Sequence, residues 1–489
     1  MGCLKLHFYF ITAKYFIMAK GKFKQPEKRP KFLTDTIVVK FVDQLNIPYG
    51  SNTDLLNNLL PQFGKSLVDM LNKYQEINIG RLVTSITETQ MTYLVYEAKE
   101  RSKQMHTFPG PTGLYNPPNF HNFLKIECKN TTPKFKLLKL LNEQGIVEYA
   151  YIQGIILPGS SPPLRSNALK SYKRKQGYLN AGPEGINAKY ARANGGRGKG
   201  DFRFIDIEEG WDHLDHPHRD LPAGLNINNL LYGVNTGDKL HGNGVLGIIL
   251  AQDNKFGITG IAPDVRTDVI SPFLSTRLGS TRHLEDAIAY ANTVLRAGDI
   301  VLITLHSQDR GGTLLPVENE QAVFDHIELG IRKGIIYIEI AGNNGIDLDV
   351  YRRNKAKPET QLFNRKNFDS GAIIVGAAKR GKIHRRYSSS NHGSRVDCYA
   401  WGDNIATTKE NSGYTLKFRK TSGAGAIIAG AAIAVQSMYL AKTGRKLDCY
   451  EMRKMLSDQA TGTPSPDLIG VMPDLKKIAK KINAMAGAA

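Results

Sequence analysis

Residues 420–432 read Lys420-Thr421-Ser422-Gly423-Ala424-Gly425-Ala426-Ile427-Ile428-Ala429-Gly430-Ala431-Ala432. This run of small side chains predicts a helix that packs closely against neighbouring backbone, with Ser422 in its first turn. The free N–H groups and the positive end of the dipole at a helix start stabilise a developing anion. The position suits an acyl-transfer nucleophile, although a serine at a helix start more often serves only as a cap.

The same run is apolar enough to raise the question of a membrane span. It is shorter than about 20 residues, its Ala and Gly are only weakly hydrophobic, and Gln436 and Ser437 interrupt it. We therefore expect the buried helix of a globular domain and no membrane span.

Composition bounds the function only loosely. The 489 residues include 65 Lys and Arg against 45 Asp and Glu, a formal charge of +20 that favours anionic partners. The basic cluster Lys173-Arg174-Lys175 is compatible with a polyanion contact, but no nucleic-acid recognition fold accompanies it, so we predict no specific nucleic-acid partner. The four cysteines form no CxxC pair, which argues against a structural zinc site.

Composition shifts divide the chain into four parts. Residues 1–32 form a basic N-terminal tail, whose weak secretion signal does not decide between a cytoplasmic and a secreted protein. Residues 33–155 are predicted to form a small α+β domain, and residues 156–177 a basic linker rich in Pro, Gly and Ser. Residues 178–489 form the largest part.

This largest part alternates strands with helices. Continuous apolar runs at residues 202–207, 299–305, 335–341 and 372–378 are typical of strands that are buried on both faces. The pattern predicts an α/β fold with a doubly wound, mostly parallel sheet. In such sheets functional residues gather at the carboxyl ends of the strands.

Four candidate residues fall at such positions or at helix starts: Asp206, His241, Asn343 and Ser422. Ser422 needs a base, and the imidazole of His241 titrates near neutral pH. Asp206 would orient that imidazole, and the amide of Asn343 would donate to an oxyanion. Together they are the parts of a serine acyl-transfer site.

The motifs resemble the subtilisin-like serine peptidases, the subtilase family, over residues 178–473. The resemblance rests on Phe204-Ile205-Asp206, on His241-Gly242-Asn243-Gly244-Val245-Leu246-Gly247 with Gly260-Ile261-Ala262-Pro263, on Ala341-Gly342-Asn343-Asn344-Gly345, and on Thr421-Ser422-Gly423-Ala424. It implies a subtilisin-like fold and a serine endopeptidase that hydrolyses polypeptides through Asp206, His241 and Ser422, with Asn343 in the oxyanion hole.

Further expectations come only from this resemblance. Thr304, Leu305 and His306 correspond to the family's substrate-binding strand, and His306 stands where glycine is usual. Residues 33–155 correspond to a propeptide that acts as an intramolecular inhibitor and folding chaperone. The chemistry requires no cofactor. Calcium is common in the family, but no metal ligands can be assigned, and we interpret the loop with His213, His216 and His218 as solvated.

Three departures from the family pattern support an alternative function. Lys420 replaces a usual glycine, Gly425-Ala426 replaces a usual Ser-Pro, and Asn243 replaces a usual threonine. A catalytically inactive subtilase-like protein that acts as a binding module is therefore the competing hypothesis.

Overall fold

The computed structural model describes residues 33–45, 47, 49, 59–74, 77–104, 115–129, 132–158, 171–275, 282–352, 362–365 and 368–487. The predicted tail 1–32 and most of the predicted linker lie outside the described residues. The four domain boundaries stay predictions.

The N-terminal unit contains strands and helices in alternation. Its elements are β1 (Leu33–Phe41), α1 (Lys65–Lys73), β2 (Asn78–Arg81), α2 (Glu88–Gln104), β3 (Phe123–Glu127), α3 (Lys134–Asn142) and β4 (Val147–Gly154). The strands form one antiparallel sheet in the order β2-β3-β1-β4.

The two faces of this sheet bury different neighbours because successive strand residues point to opposite sides. Ile37 and Val39 of β1 pack on α1 and α3, whereas Val38 faces α2. We expect an extended segment at residues 91–96 from their β-branched and aromatic content, and this expectation is wrong because they lie within α2. Met91, Leu94 and Ala98 are its buried residues, at helical spacing.

The larger part follows a short connecting strand. The strands are β5 (Ile156–Pro158), β6 (Arg203–Ile207), β7 (Leu230–Tyr232), β8 (Arg266–Ile270), β9 (Ile300–Ile303), β10 (Leu305–Gln308), β11 (Leu314–Leu315), β12 (Ile336–Ile340), β13 (Ile373–Ala378), β14 (Cys398–Trp401), β15 (Ile405–Thr408), β16 (Tyr414–Phe418), β17 (Gly462–Pro464) and β18 (Val471–Pro473). The helices are α4 (Ala188–Ala193), α5 (Asp212–Asp215), α6 (Lys239–Leu250), α7 (Leu284–Val294), α8 (Gln321–Arg332), α9 (Lys420–Thr443), α10 (Cys449–Leu456) and α11 (Leu475–Gly487).

A nine-stranded sheet forms the centre of this part, in the order β17-β18-β14-β13-β12-β9-β6-β8-β7. Every pairing in it is parallel except that of β17 with β18. Its strands are apolar on both faces because helices cover both sides. The predicted α/β class with a mostly parallel, doubly wound sheet is confirmed.

The helix α9 lies in the core of this part, with every residue from Thr421 to Tyr439 buried. Its length and composition would allow it to cross a membrane, and it is the one helix in the described part of the chain of which this is true. However, 89% of its most apolar window is buried inside the fold. Gly425 explains part of the close packing, since a Cβ there would lie 2.7 Å from the Ile340 side chain. The small-residue run therefore lets α9 approach the sheet.

The strand order positions the candidate site. Because β6, β9 and β12 are consecutive neighbours and parallel, their carboxyl ends lie side by side at one edge. The residues that follow these three strands therefore come together.

Candidate active site

His241 lies in the first turn of α6, and Asp238 caps that helix by accepting a hydrogen bond from the His241 backbone N–H at 3.1 Å. The Nδ1 atom of His241 is 2.5 Å from Oε2 of Glu208, and both side chains are fully buried. The Nε2 atom of His241 is buried and has no hydrogen-bond partner among the described residues. A proton held on Nδ1 by Glu208 leaves the lone pair of the neutral ring on Nε2.

Glu208 is held on both of its oxygens. Oε1 accepts from the backbone N–H of Glu209 at 2.9 Å, and Oε2 also accepts from the Thr304 hydroxyl at 2.5 Å. Burial would lower the pKa of His241, but the charge and hydrogen bond of Glu208 raise it, and the pKa lies above its usual range. The pair therefore favours a protonated imidazole more than an isolated histidine does.

Asp206 makes no hydrogen bond or ion pair with His241, contrary to the role predicted for it. It lies inside β6, opposite Val269 and Leu302 of the neighbouring strands, and its Oδ2 accepts from the indole N–H of Trp211 at 2.8 Å. Oδ1 has no hydrogen-bond partner within the described ranges. Burial, reinforced by the charge of Glu208, raises the pKa of Asp206 well above its usual range.

The positions of Asp206 and Glu208 along the strand explain why Glu208 and not Asp206 bonds to His241. Residues two apart on a strand point to the same face, so Asp206 and Glu208 both face the His241 side of the sheet. Glu208 is the first residue after β6, at the carboxyl end where functional residues gather. The position of the strand end was the signal that could have identified Glu208 from the sequence.

Ser422 is the third residue of α9 and is fully buried. Its Oγ atom has no hydrogen-bond partner in the described part of the chain. The Phe418 ring lies near both helix starts: its centroid is 5.4 Å from that of the His241 ring, and its Cδ1 atom would be 3.3 Å from a Cβ placed on Gly423, the residue after Ser422. The structure thus brings Ser422, His241 and Glu208 to one region, with the reactive atoms of serine and histidine unpartnered.

The backbone conformation of Lys420, the residue before Thr421, resembles that of a glycine. Lys420 has φ of +68°, in the left-handed region that favours glycine. The backbone therefore keeps a glycine-like conformation although the side chain differs.

Asn343 follows β12 and is fixed by contacts at both ends of its carboxamide. Oδ1 accepts from the Thr421 backbone N–H at 3.2 Å and from its hydroxyl at 3.0 Å. Because a backbone N–H can only donate, these contacts fix which end is oxygen. Nδ2 donates to Nε2 of His306 at 2.7 Å, and one of its two hydrogens remains for an oxyanion.

The predicted substrate-binding strand corresponds to β10, which begins at Leu305. It pairs antiparallel with the chain's own β5, with Leu305 opposite Pro158 and His306 opposite Leu157. Thr304 precedes β10 and contacts Glu208 through its hydroxyl. The edge predicted to receive a peptide is therefore occupied by residues 156–158.

The three histidines of the loop after β6 are engaged within the protein. His213 Nε2 lies 3.1 Å from the Pro222 carbonyl, His218 Nε2 lies 2.8 Å from the Gly413 carbonyl, and His216 pairs with Asp212. No group of three or more His, Cys, Asp or Glu side chains suited to a metal ion occurs in the ranges that the structure describes.

Comparisons with known proteins show the family of this chain. The family model described as the subtilase family, Peptidase_S8, matches residues 228–474, just over half of the chain. The chain belongs to the subtilase family. The predicted family and the prediction of a serine-type peptidase, a hydrolase, are thereby confirmed.

Curated proteases are similar over a little less than half of the chain. Subtilisin DY of Bacillus licheniformis is 28% identical over 227 residues, which cover 46% of this chain and 72% of that protein. Subtilisin Savinase of Lederbergia lenta is 25% identical over 230 residues, which cover 47% of this chain and 73% of that protein. An alkaline protease of Alkalihalobacillus alcalophilus is also 25% identical, and the chain spans 52% of its length.

The fold of a solved subtilase relative extends over most of this chain. Fervidolysin from Fervidobacterium pennivorans, described as a keratinolytic enzyme related to subtilisin, matches with a TM-score of 0.54 and 15% identity. The match covers 93% of this chain and 62% of that protein. At this identity the likeness shows the fold alone.

Proposed function

We propose that this subtilase is a serine endopeptidase in which Ser422 is the nucleophile, His241 the general base and Glu208 the acid that orients it. The observation that carries the proposal is the buried Glu208–His241 pair, which leaves Nε2 of His241 without a hydrogen-bond partner among the described residues. Ser422 lies in the first turn of α9, and its Oγ has no partner among those residues either. Glu208 replaces Asp206 in the role predicted from the sequence.

The reaction uses each atom in turn. His241 Nε2 takes the proton of the Ser422 hydroxyl as Oγ attacks the carbonyl carbon of the peptide bond. Glu208 stabilises the imidazolium that forms, and the imidazolium then gives its proton to the leaving amine. Water repeats the sequence on the acyl-enzyme, which releases the carboxylic acid and restores the serine.

Asn343 and the backbone N–H of Ser422 are the proposed oxyanion donors. The two bonds from Thr421 support this role because they hold the amide in place before any substrate binds. The loss of one such donor typically raises the barrier by about 3 kcal/mol.

The N-terminal unit, residues 33–155, is the proposed intramolecular inhibitor and folding chaperone. Two features support this role. Asp286 of α7 accepts hydrogen bonds from Thr84 and Ser85 of the unit, and Gln153 donates to Glu285 of the same helix. In addition, β5 occupies the edge of β10 on which an extended peptide substrate would add a strand.

The binding-module alternative has less support. Lys420 adopts the conformation of the glycine that it replaces, and Gly425 allows the contact of α9 with Ile340. These departures therefore leave the groups that make and break bonds in place.

A fluorophosphonate probe tests the proposal because it reacts with an activated serine. After the wild-type chain has been allowed to process itself, the probe should label it at Ser422 and should leave the Ser422→Ala variant unlabelled. A wild-type chain that does not process itself, and that takes up no label after an added protease has removed its N-terminal unit, would support the binding-module alternative if its thermal unfolding shows a folded domain.

A further inference from the structure

The imidazole of His306 occupies the space beside the proposed oxyanion donor. It is fully buried, and its Nε2 lies 2.7 Å from Nδ2 of Asn343. Its Nδ1 finds no hydrogen-bond partner among the residues that the structure describes. Within the described residues, the bond with Asn343 is therefore the one side-chain hydrogen bond that holds the ring.

His306 faces the reacting groups. Side chains two apart on an extended segment point to the same face, and Thr304 on that face contacts Glu208. Burial, together with the positive charges of His241 and Lys420 nearby, lowers the pKa of His306 to about 3. The ring is thus neutral at working pH, which lets Nε2 accept the hydrogen bond from Asn343.

The substrate needs this same space. The carbonyl oxygen of the scissile bond must lie against Nδ2 of Asn343 for the amide to stabilise the oxyanion. The side chain of the residue that carries this carbonyl begins only two covalent bonds from the carbonyl carbon, so it starts close to the His306 ring, which is bonded to the same amide. Displacing the buried ring would break its hydrogen bond with Asn343 and would leave Nε2 of His306 without that partner.

We propose that His306 closes the pocket for the residue on the amino side of the scissile bond, and that it restricts this subtilase to substrates with glycine, or at most alanine, at that position. The inference rests on the proposed function and deepens it. Glycine has no side chain to place in the filled region, and alanine adds a single methyl group.

The chain itself supplies the peptide framework for the test. Residues 156–160 read Ile156-Leu157-Pro158-Gly159-Ser160, of which the last two lie outside the described residues. Four internally quenched peptides based on Ile-Leu-Pro-X-Ser, with X as Gly, Ala, Leu or Phe, differ only at the position in question. Their kcat/KM values are measured with the processed wild type and with His306→Gly and His306→Gln.

The wild type should cleave the glycine peptide about 100-fold faster than the phenylalanine peptide, since a filled pocket excludes the larger side chain. His306→Gly should raise kcat/KM for the phenylalanine peptide by about 10-fold or more. His306→Gln keeps the bulk and an acceptor for Asn343, so it should keep the preference for glycine. Thermal unfolding of each variant provides the folding control.

Two results would overturn the inference while leaving the proposed function intact. One is a wild type that is labelled at Ser422 and cleaves the phenylalanine and glycine peptides equally well. The other is a folded His306→Gly variant that loses cleavage of all four peptides, which would make His306 a positioning residue for Asn343. If the wild type is neither labelled nor cleaves any peptide, the proposed function itself fails. The wild-type panel alone decides the matter if His306→Gly does not fold.

Discussion

The Nδ1 atom of His241 lies 2.5 Å from Oε2 of Glu208, in a site where both side chains are fully buried. A carboxylate with one more methylene than aspartate therefore holds the imidazole. Two residues earlier, Asp206 is buried in the middle of β6 and bonds to Trp211 instead. Two buried carboxyl groups therefore lie near one histidine, and only Glu208 is hydrogen-bonded to it.

The pH dependence of activity should report the Glu208–His241 pair. His241 must be neutral to act as a base, and Glu208 raises its pKa, so kcat/KM should rise with pH through a midpoint above about 6.5. In Glu208→Gln the residual activity should show a midpoint shifted to lower pH, because the stabilising charge is gone. A wild-type midpoint well below 6.5 would contradict the assigned pair.

Asn343→Ala should lower kcat by about 10²–10³-fold with little change in KM, because the donor acts on the oxyanion and not on the bound substrate. Thr421→Val is the matched comparison. It removes only the hydroxyl that bonds to Asn343 Oδ1 and keeps the backbone N–H bond, so it should cost roughly tenfold or less, in line with about 1 kcal/mol for one hydrogen bond. Equal losses in the two variants would argue that Asn343 serves the structure rather than the oxyanion.

Lys420→Gly should keep activity and should change the free energy of unfolding by less than about 1 kcal/mol. Glycine removes the steric strain of a side chain at φ of +68°, but it also increases the conformational entropy of the unfolded chain, and the two effects oppose each other. Lys420→Val should lower both stability and activity, since a β-branched residue is strongly disfavoured at φ of +68°. Chemical denaturation and peptide cleavage measure the two effects. A Lys420→Gly variant that gains activity by orders of magnitude would show that the lysine impairs the site.

Self-processing should separate the N-terminal unit from the rest of the chain. The purified Ser422→Ala variant should stay at 54.2 kDa, whereas the wild type should release a fragment that mass spectrometry can identify. Gly159 directly follows Pro158, which pairs with Leu305 of β10, so the sequence and the preference inferred for His306 together predict cleavage after Gly159.

Mixing a trace of wild type with the Ser422→Ala chain controls for cleavage between molecules. Cleavage after a large side chain among residues 159–170 would count against the glycine preference. An intact wild type would count against self-processing.

The sequence was sufficient for the architecture of the larger part because its strands are continuous apolar runs between amphipathic helices. It also predicted the local positions of three candidate residues. His241 and Ser422 lie in the first turns of helices, and Asn343 follows a strand.

The acid could not be chosen by residue type, since Asp206, Glu208 and Glu209 are all carboxylates within four positions. Only their positions relative to the end of β6 and their hydrogen-bond partners distinguish these three residues. The contact of His306 with Asn343 joins residues 37 positions apart, and no local pattern reports it. The prediction of a strand at residues 91–96 is wrong because these residues include strand-forming side chains, whereas the buried residues Met91, Leu94 and Ala98 follow helical spacing.

The most direct test compares kcat/KM of two isosteric variants, Glu208→Gln and Asp206→Asn, after self-processing and with unfolding midpoints measured for both. Glu208→Gln should lose about 10³–10⁴-fold, because the imidazole loses its charge partner and its correct tautomer. Asp206→Asn should keep near wild-type activity, because His241 bonds to Glu208 and not to Asp206, and the amide oxygen can still accept from Trp211. Near wild-type activity in a folded Glu208→Gln together with a collapse in a folded Asp206→Asn would contradict the assignment of Glu208 as the catalytic acid.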